Sequence, residues 1–292
     1  MSIRSRLCFE ISRRLIKPAS KRTVDYAAYD EWRWETLSRL WGQFSDGHIN
    51  GKTVVDFGCG DGQLSLFLAK HKAPARIIGV DLVAASIKRA SNGARKLNLP
   101  NDQIEFLVGS TERMPLDEAS ADTIVAFDCL EHVMNPADIL ADWHRVLKPG
   151  GTCLMNWFPY KGPWGPHMES LVPIPWAHVV FGQAAMFRAA EAIYDLPEFE
   201  PRHWDLDESG NKKPNKWKQW SSFREQDYIN ELDISTLERL ASDAGLVVSR
   251  LEKHSFSGSW LRRTTGKCLM ALPLVGEYFV SYTVVELTKP AE

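Results

Sequence analysis

Three glycines on alternate positions, Gly58, Gly60 and Gly62, interrupt the stretch TVVDFGCGDGQLSLFLAK (53–70) between a β-branched run and an amphipathic one. Glycine loses more backbone entropy on folding than any other residue, so such a cluster marks a place where something must come close to the backbone. An acid, Asp56, stands just before the loop, and a second, Asp81, closes the next β-branched run, RIIGVD (76–81). In an open α/β sheet, ligands sit beyond the carboxyl ends of the strands, and a carboxylate placed there can accept hydrogen bonds from two ribose hydroxyls. Gly58 and Gly60 would let the backbone approach a ligand, and Gly62 would let the helix pack close to the strand. The chemistry these residues can do together is nucleoside binding. The spacing is G-x-G-x-G and not the dinucleotide G-x-G-x-x-G. It speaks against a nicotinamide dehydrogenase, which remains a competing reading.

Regular elements must hold these residues in place. TVVDF (53–57), RIIGVD (76–81), IEFLVG (104–109), ADTIVAFD (121–128) and TCLMNWF (152–158) read as strands. QLSLFLAKH (63–71), AASIKRASNGARKLN (84–98) and PADILADWHRVLKPGG (136–151) read as helices, the last opened by Pro136 and closed by KPGG. Strands alternating with helices predict an α/β fold, a doubly wound, Rossmann-like, mainly parallel sheet. Two more strands, 246–254 and 282–290, would bring the sheet to seven, after a helix over 233–245 and with an unusually long connection between them. Residues 158–222 break this rhythm, with eight of the sixteen prolines. They read as an aromatic, proline-stiffened insertion after strand five, with a helix over 184–196 and a polar, mobile loop over 209–220. The expected division is 1–50 as basic helix and cap, 51–157 as ligand-binding core, 158–222 as insertion and 223–292 as the rest of the core.

Composition narrows the function classes. The chain has 292 residues, 44% hydrophobic and 25% charged, with a net charge of −2. Those are ordinary globular values, and they do not suit a protein that coats nucleic acid. The five cysteines are widely spaced and form no C-x-x-C pair, so neither a disulfide framework nor a metal site is expected, and a reducing, cytoplasmic setting fits. Residues 1–22 carry seven basic side chains and one acid, Glu10. Ile3, Leu7, Ile11 and Leu15 recur every fourth residue and form one apolar stripe. Such a helix can lie peripherally on an anionic membrane or dock its stripe on its own domain, and docking is the preferred reading.

The pattern VVDFGCGDGQ resembles the first motif of class I S-adenosylmethionine (SAM) methyltransferases. IIGVDL resembles their second motif, GSTERMPLDEASADTIVAFDCLEHV the third and fourth, and ILADWHRVLKPGG the helix and turn before strand five. The similarity runs in order over 52–152, and points most toward the small-molecule branch that includes ubiquinone and menaquinone biosynthesis methyltransferases. YDEWRWETL (29–37) faintly resembles their N-terminal cap. The resemblance implies SAM as cofactor. Gly58, Cys59, Gly60 and Gln63 would line it, and Asp56 and Asp128 would hold its methionine end. Asp81 would take the ribose, Leu82 would lie beside the adenine, and Ser110 and Thr111 would stand at its edge. Many members carry Asp at the place of Ser110.

Methyl transfer from a sulfonium is an in-line displacement in which alignment supplies most of the catalysis, and a base matters only if the acceptor keeps its proton. The candidates are His132 in LEHV, and His167 and Tyr160 in FPYKGPWGPHMESLVPIPWAHVVF. A lone histidine is more often a hydrogen-bonded structural group than a catalyst, and that reading stands beside each of them. No N-P-P-Y, D-P-P-Y or Pro-Cys motif follows strand four, which argues against methylation of nucleic-acid bases. The expectation is a small, largely apolar acceptor methylated at a hydroxyl. Transfer to N or C, or a SAM-binding sensor or scaffold, are the alternatives.

Overall fold

The computed structural model describes residues 1–20, 25–256 and 260–291, so Lys21 and Arg22 of the basic N-terminal segment lie outside the described residues. One seven-stranded sheet has the order β3-β2-β1-β4-β5-β7-β6. Its strands are β1 (Thr53–Phe57), β2 (Arg76–Asp81), β3 (Ile104–Val108), β4 (Ala121–Phe127), β5 (Leu147–Trp157), β6 (Val247–His254) and β7 (Tyr282–Thr288). The first five pair in parallel, and β7 runs antiparallel to both β5 and β6. The expected seven-stranded, mainly parallel sheet is the observed one. Val54, Val55, Ile77, Ile78, Ile124 and Val125 are buried, because strands covered on both faces are apolar on both faces. The strand order reverses between β1 and β4, and both strands end there in loops that carry candidate residues.

The chain divides into two compact units. One holds the sheet: Arg33–Trp157, Leu232–His254 and Tyr282–Glu292. The other collects Met1–Trp32, Phe158–Glu231 and Ser255–Ser281. The division falls inside helix α2 (Tyr26–Trp41), after helix α1 (Ile3–Leu15).

In the sheet unit, helices α3 (Gln63–His71), α4 (Ala84–Lys96) and α5 (Pro136–Val146) follow β1, β2 and β4. Helix α5 ends at Val146, and the KPGG run is the bulged start of β5, a strand longer than its sequence suggests. The reason is a partner from the far end of the chain. Gly150, at φ +76°, donates to Lys289 O at 2.9 Å, and Lys289 donates back to Gly151 O at 2.9 Å.

The second unit has its own core, built around α7 (Gln183–Tyr194), which follows the short α6 (Ala177–Val180). Phe187 lies 5.1 Å from Phe223, and Ala185, Ala189, Ile193 and Phe199 are buried with them. Contrary to the mobile-loop expectation, the part of 209–220 from Lys212 onward is fastened to this core. Tyr194 Oη donates to Lys213 O at 2.9 Å, Asn215 Nδ2 donates to Glu191 O at 2.9 Å, and the Trp217 ring sits 6.1 Å from that of Phe187. The connection from β6 to β7 holds helix α10 (Trp260–Met270); α8 (Phe223–Gln226) and α9 (Ile234–Asp243) precede β6. Among the described residues, no helix is long and apolar enough to cross a membrane.

Helix α1 packs on α7 mainly through the face beside its apolar stripe; of the stripe, Ile11 is half-buried against the same core. Its buried residues are Ser5, Cys8 and Ser12, while Ile3 is 88% exposed and Leu7 and Leu15 are about half exposed. Small side chains on α1 meet the alanines of α7, and close approach of two backbones favours that face over the bulkier one. Burial pushes the Cys8 thiol up to about 11. We expect Ser12→Leu to lower the thermal midpoint, costing about 1–3 kcal/mol by overpacking, while Ile3→Ser changes stability by less than about 0.5 kcal/mol; thermal denaturation of both variants checks this.

Candidate functional site

The loop after β1 is shaped by three residues in the left-handed region: Gly58 (φ +70°), Gly60 (φ +53°) and Gly62 (φ +83°). They do different work. A Cβ on Gly58 would stand 2.2 Å from Cys129 Sγ, in the loop after β4. One on Gly62 would stand 2.8 Å from Ala90 Cβ on α4 and 3.0 Å from the Phe106 ring. Only Gly60 of the three fronts open space. So Gly58 and Gly62 are fixed by close packing against their neighbours, and Gly60 is where the backbone is open to an incoming ligand.

Asp81 ends β2 and ties the loops together. Its Oδ2 accepts from Gly60 N at 2.9 Å and its Oδ1 from Val83 N at 2.8 Å. A carboxylate has about four acceptor positions, so the two used here leave others for hydroxyl donors. Gly58 N and Cys59 N both donate to Val80 O, at 2.8 and 3.1 Å. Leu82 and Val83 stand exposed beside Asp81. Ser110 closes its own turn, its hydroxyl donating to Arg113 O at 3.0 Å and accepting from Arg113 N at 3.0 Å. Thr111 O accepts from Asn135 Nδ2 at 2.9 Å. Gln63 opens α3 behind Gly62.

Beneath the loop lie buried acids. Asp56 is 2% exposed and accepts from Ser65 Oγ at 2.5 Å. Burial pushes its pKa up to about 7, against the opposing pull of the Ser65 hydrogen bonds and the Arg33 charge. Asp128, after β4, holds φ +50°, a conformation Asp tolerates better than most residues. Asn156 at the end of β5 fixes it from both sides. Asp128 N donates to Asn156 Oδ1 at 3.1 Å, and Asn156 Nδ2 donates to Asp128 Oδ1 at 2.6 Å. The second oxygen of Asp128 is ion-paired with Arg33 on α2. Glu131, in the following 3-10 turn, is buried, and burial followed by the Asp128 charge holds its carboxyl far above the usual range. Burial likewise pushes the thiols of Cys59, Cys129 and Cys153 up, so none of these three is a ready thiolate.

Of the candidate bases, His132 lies in the sheet unit, four residues beyond Asp128, with its N–H donating to Cys129 O at 2.9 Å. His167 and Tyr160 belong to the other unit. His167 holds φ +53° and stands edge-on to Phe158 at 4.7 Å. Tyr160 Oη accepts from Gln183 Nε2 at 2.9 Å, and its ring lies 4.9 Å from that of His178. Burial, then the Glu231 charge, pushes the Tyr160 hydroxyl further from ionising, so it is a poor phenolate base. His178, buried against it, is pushed down to about 4 and is neutral at neutral pH. Sequence reasoning missed Arg33, Asn156 and Glu131. Arg33 lies within the YDEWRWETL segment, but its pairing with Asp128 joins positions far apart in the chain. Asn156 reads as one polar residue inside an apolar strand, a signal that was there to be used.

A glycine loop after β1 and an acid after β2 stand at the switch point of a 3-2-1-4-5-7-6 sheet, and the stretch that holds them is similar to class I methyltransferase domains, whose cofactor is SAM. Residues 55–155 match the family model described as a methyltransferase domain. Over 102 residues the chain is 38% identical to an S-adenosyl-L-methionine-dependent Diels-Alderase of Talaromyces variabilis, covering 35% of this chain and 34% of that protein. It is 33% identical over 118 residues to a ubiquinone biosynthesis O-methyltransferase of Maricaulis maris, covering 40% of this chain and 44% of that one. The chain thus spans less than half the length of these two relatives. Among solved structures, an S-adenosylmethionine-dependent methyltransferase of Mesorhizobium loti shares the fold, with a TM-score of 0.50 at 15% identity over 87% of this chain and 96% of that one.

The different roles of the glycines are separable. Gly58→Ala should lower the thermal midpoint through a strained φ, about 1–2 kcal/mol, plus the clash with Cys129 Sγ, and Cys129→Ala should restore part of the loss. Gly60→Ala should carry the conformational cost alone and gain nothing from Cys129→Ala. Thermal melts of the four variants decide it.

Proposed function

We propose that the protein is a SAM-dependent methyltransferase acting on a small, largely apolar acceptor, with a hydroxyl as the methylated group. The observation that carries this reading is the Gly60–Asp81 pairing, which leaves open space at the glycine and unused acceptor positions on the acid. Bound SAM supplies a methyl carbon already activated on a sulfonium. Asp81 would accept from the ribose hydroxyls beside Leu82, with Ser110 and Thr111 at the adenine edge. Gly58, Cys59, Gly60 and Gln63 would line the cofactor. Asp56 and Asp128 would carry negative charge toward the methionine ammonium, and Arg33 is the cation suited to its carboxylate. His132, in the turn after Asp128, is the first candidate to take the acceptor's proton, and His167 the second. Tyr160, with its hydroxyl kept protonated, is suited to donate a hydrogen bond. The hydroxyl preference is supported by the name of the Maricaulis maris relative. The basic segment 1–22 adds a peripheral membrane contact to this proposal.

The Talaromyces variabilis relative, whose name describes a cycloaddition, supports a second reading, in which the SAM-binding domain serves without methyl transfer. Turnover of radiolabelled SAM against a panel of phenols and other small hydroxyl compounds separates the two.

Calorimetric titration with S-adenosylhomocysteine should show binding that falls at least tenfold in Asp81→Ala. A second titration series tests Asp56. A ligand ammonium favours the ionised carboxylate, and below pH about 7 Asp56 holds its proton. Binding must then release that proton, so affinity should weaken by up to about tenfold per pH unit below the pKa and level off above it. Asp56→Asn should flatten the profile; an unchanged slope would assign the pH dependence elsewhere.

A further inference from the structure

The segment from 260 to 276 carries Arg262, Arg263 and Lys267 and no acid. From 261 to 275 only Gly266 is buried, with Leu269 and Met270 half-buried. At its tip, ALPLV (271–275), Leu272 and Val275 are exposed and Leu274 is 100% exposed. Leu274 holds φ +67°, and Val275 N donates across it to Pro273 O at 2.8 Å. That is a γ-turn of the rare, strained hand. Such strain persists only where the surroundings over-determine it, and here they do. Gly276 N donates to Leu272 O at 2.9 Å, and a Cβ on Gly276 would stand 2.2 Å from Met270 O, so the tip is folded hard against the end of α10. Trp176 clamps its base, with Nε1 donating to Tyr278 O at 2.6 Å and its ring 5.9 Å from that of Phe279. The result is a stiff apolar projection beside a basic helix.

The same unit carries a second set of exposed aliphatic side chains. Trp176 leads into α6, where Val179 and Val180 are exposed. The next residues, Phe181 to Ala185, share a cavity of about 910 Å³ with Met1, Ser2, Arg4 and Ser5 at the start of α1. There Ile3 and Leu7 face outward among Arg4, Arg6 and Arg14. That cavity is lined by Arg4 and Arg188 but also by Glu191 and Asp195, so the basic rim without an acid is the one beside the 271–275 tip, and exposed aliphatic side chains next to such a rim mark an interaction surface. A two-fold contact through this surface would set like charges against each other, whereas an anionic bilayer complements it.

We propose that this surface docks on an anionic lipid bilayer, with Leu272, Leu274 and Val275 entering the boundary between headgroups and acyl chains. Arg263 and Lys267 of α10 meet lipid phosphates. Basic residues beside inserted aliphatic ones are the two signals that peripheral anchoring needs. This goes beyond the N-terminal contact, since it assigns the insertion to a different segment, and it rests on no part of the cofactor site.

The test is co-sedimentation of the full chain with phosphatidylcholine vesicles made with and without phosphatidylserine, alongside calorimetric binding of S-adenosylhomocysteine. The native chain should bind only the vesicles with phosphatidylserine, and less at high salt. Leu272→Ser with Leu274→Ser should weaken vesicle binding about tenfold or more, with nucleoside binding unchanged. Arg263→Glu with Lys267→Glu should do the same. Native failure to bind phosphatidylserine vesicles overturns the proposal. So does unaltered vesicle binding by the leucine pair, which would leave residues 1–22 as the contact. Either result leaves the cofactor proposal to stand or fall on the calorimetry.

Discussion

The carboxylate of Asp81 is the tie on which the site depends. A loop built from residues at positive φ cannot use a regular sheet ladder for its N–H groups, yet those groups need partners. Here Val80 and Asp81, at the end of β2, supply them for Gly58, Cys59 and Gly60. The loop after β1 therefore takes its shape from the neighbouring strand. Parallel register sets that neighbour, with Phe57 opposite Val80.

The second constraint is charge. Asp56, Asp128 and Glu131 gather at the ends of adjacent strands β1 and β4, with Arg33 as their cation. Taking several carboxylates out of water would be prohibitive if all were ionised. The protein resolves this residue by residue. Burial holds the Glu131 carboxyl well above the usual range, Asp56 sits near the edge of ionising, and Asp128 is satisfied by Asn156 and Arg33. Such a floor is acidic enough to favour a cationic ligand group without carrying several bare charges.

The second unit follows another logic. Its interior is closed by close-packed small residues on α1 and α7 and by aromatic rings around Phe187 and Phe223. Because small faces do the packing, several aliphatic side chains stay outside.

Much of this was legible in the chain itself. Strand and helix alternation, the glycine loop and the acids at 56, 81 and 128 are local patterns. They are set by side-chain period and by backbone freedom that only glycine provides, so they survive without tertiary context. What each glycine is for was not legible, since Gly58 is defined by Cys129 and Gly62 by Ala90 and Phe106, residues distant in sequence. The apolar stripe of α1 was counted correctly, yet the face beside it is buried, because the partner helix offers alanines. Arg33 reaches Asp128, and Lys289 reaches Gly150 and Gly151, only after the sheet has brought them together. Sequence determined which segments become strand, helix and glycine turn, for those depend on neighbours along the chain. Tertiary structure alone decided which charges are buried, which faces pack and which leucines are left outside, for those depend on neighbours in space.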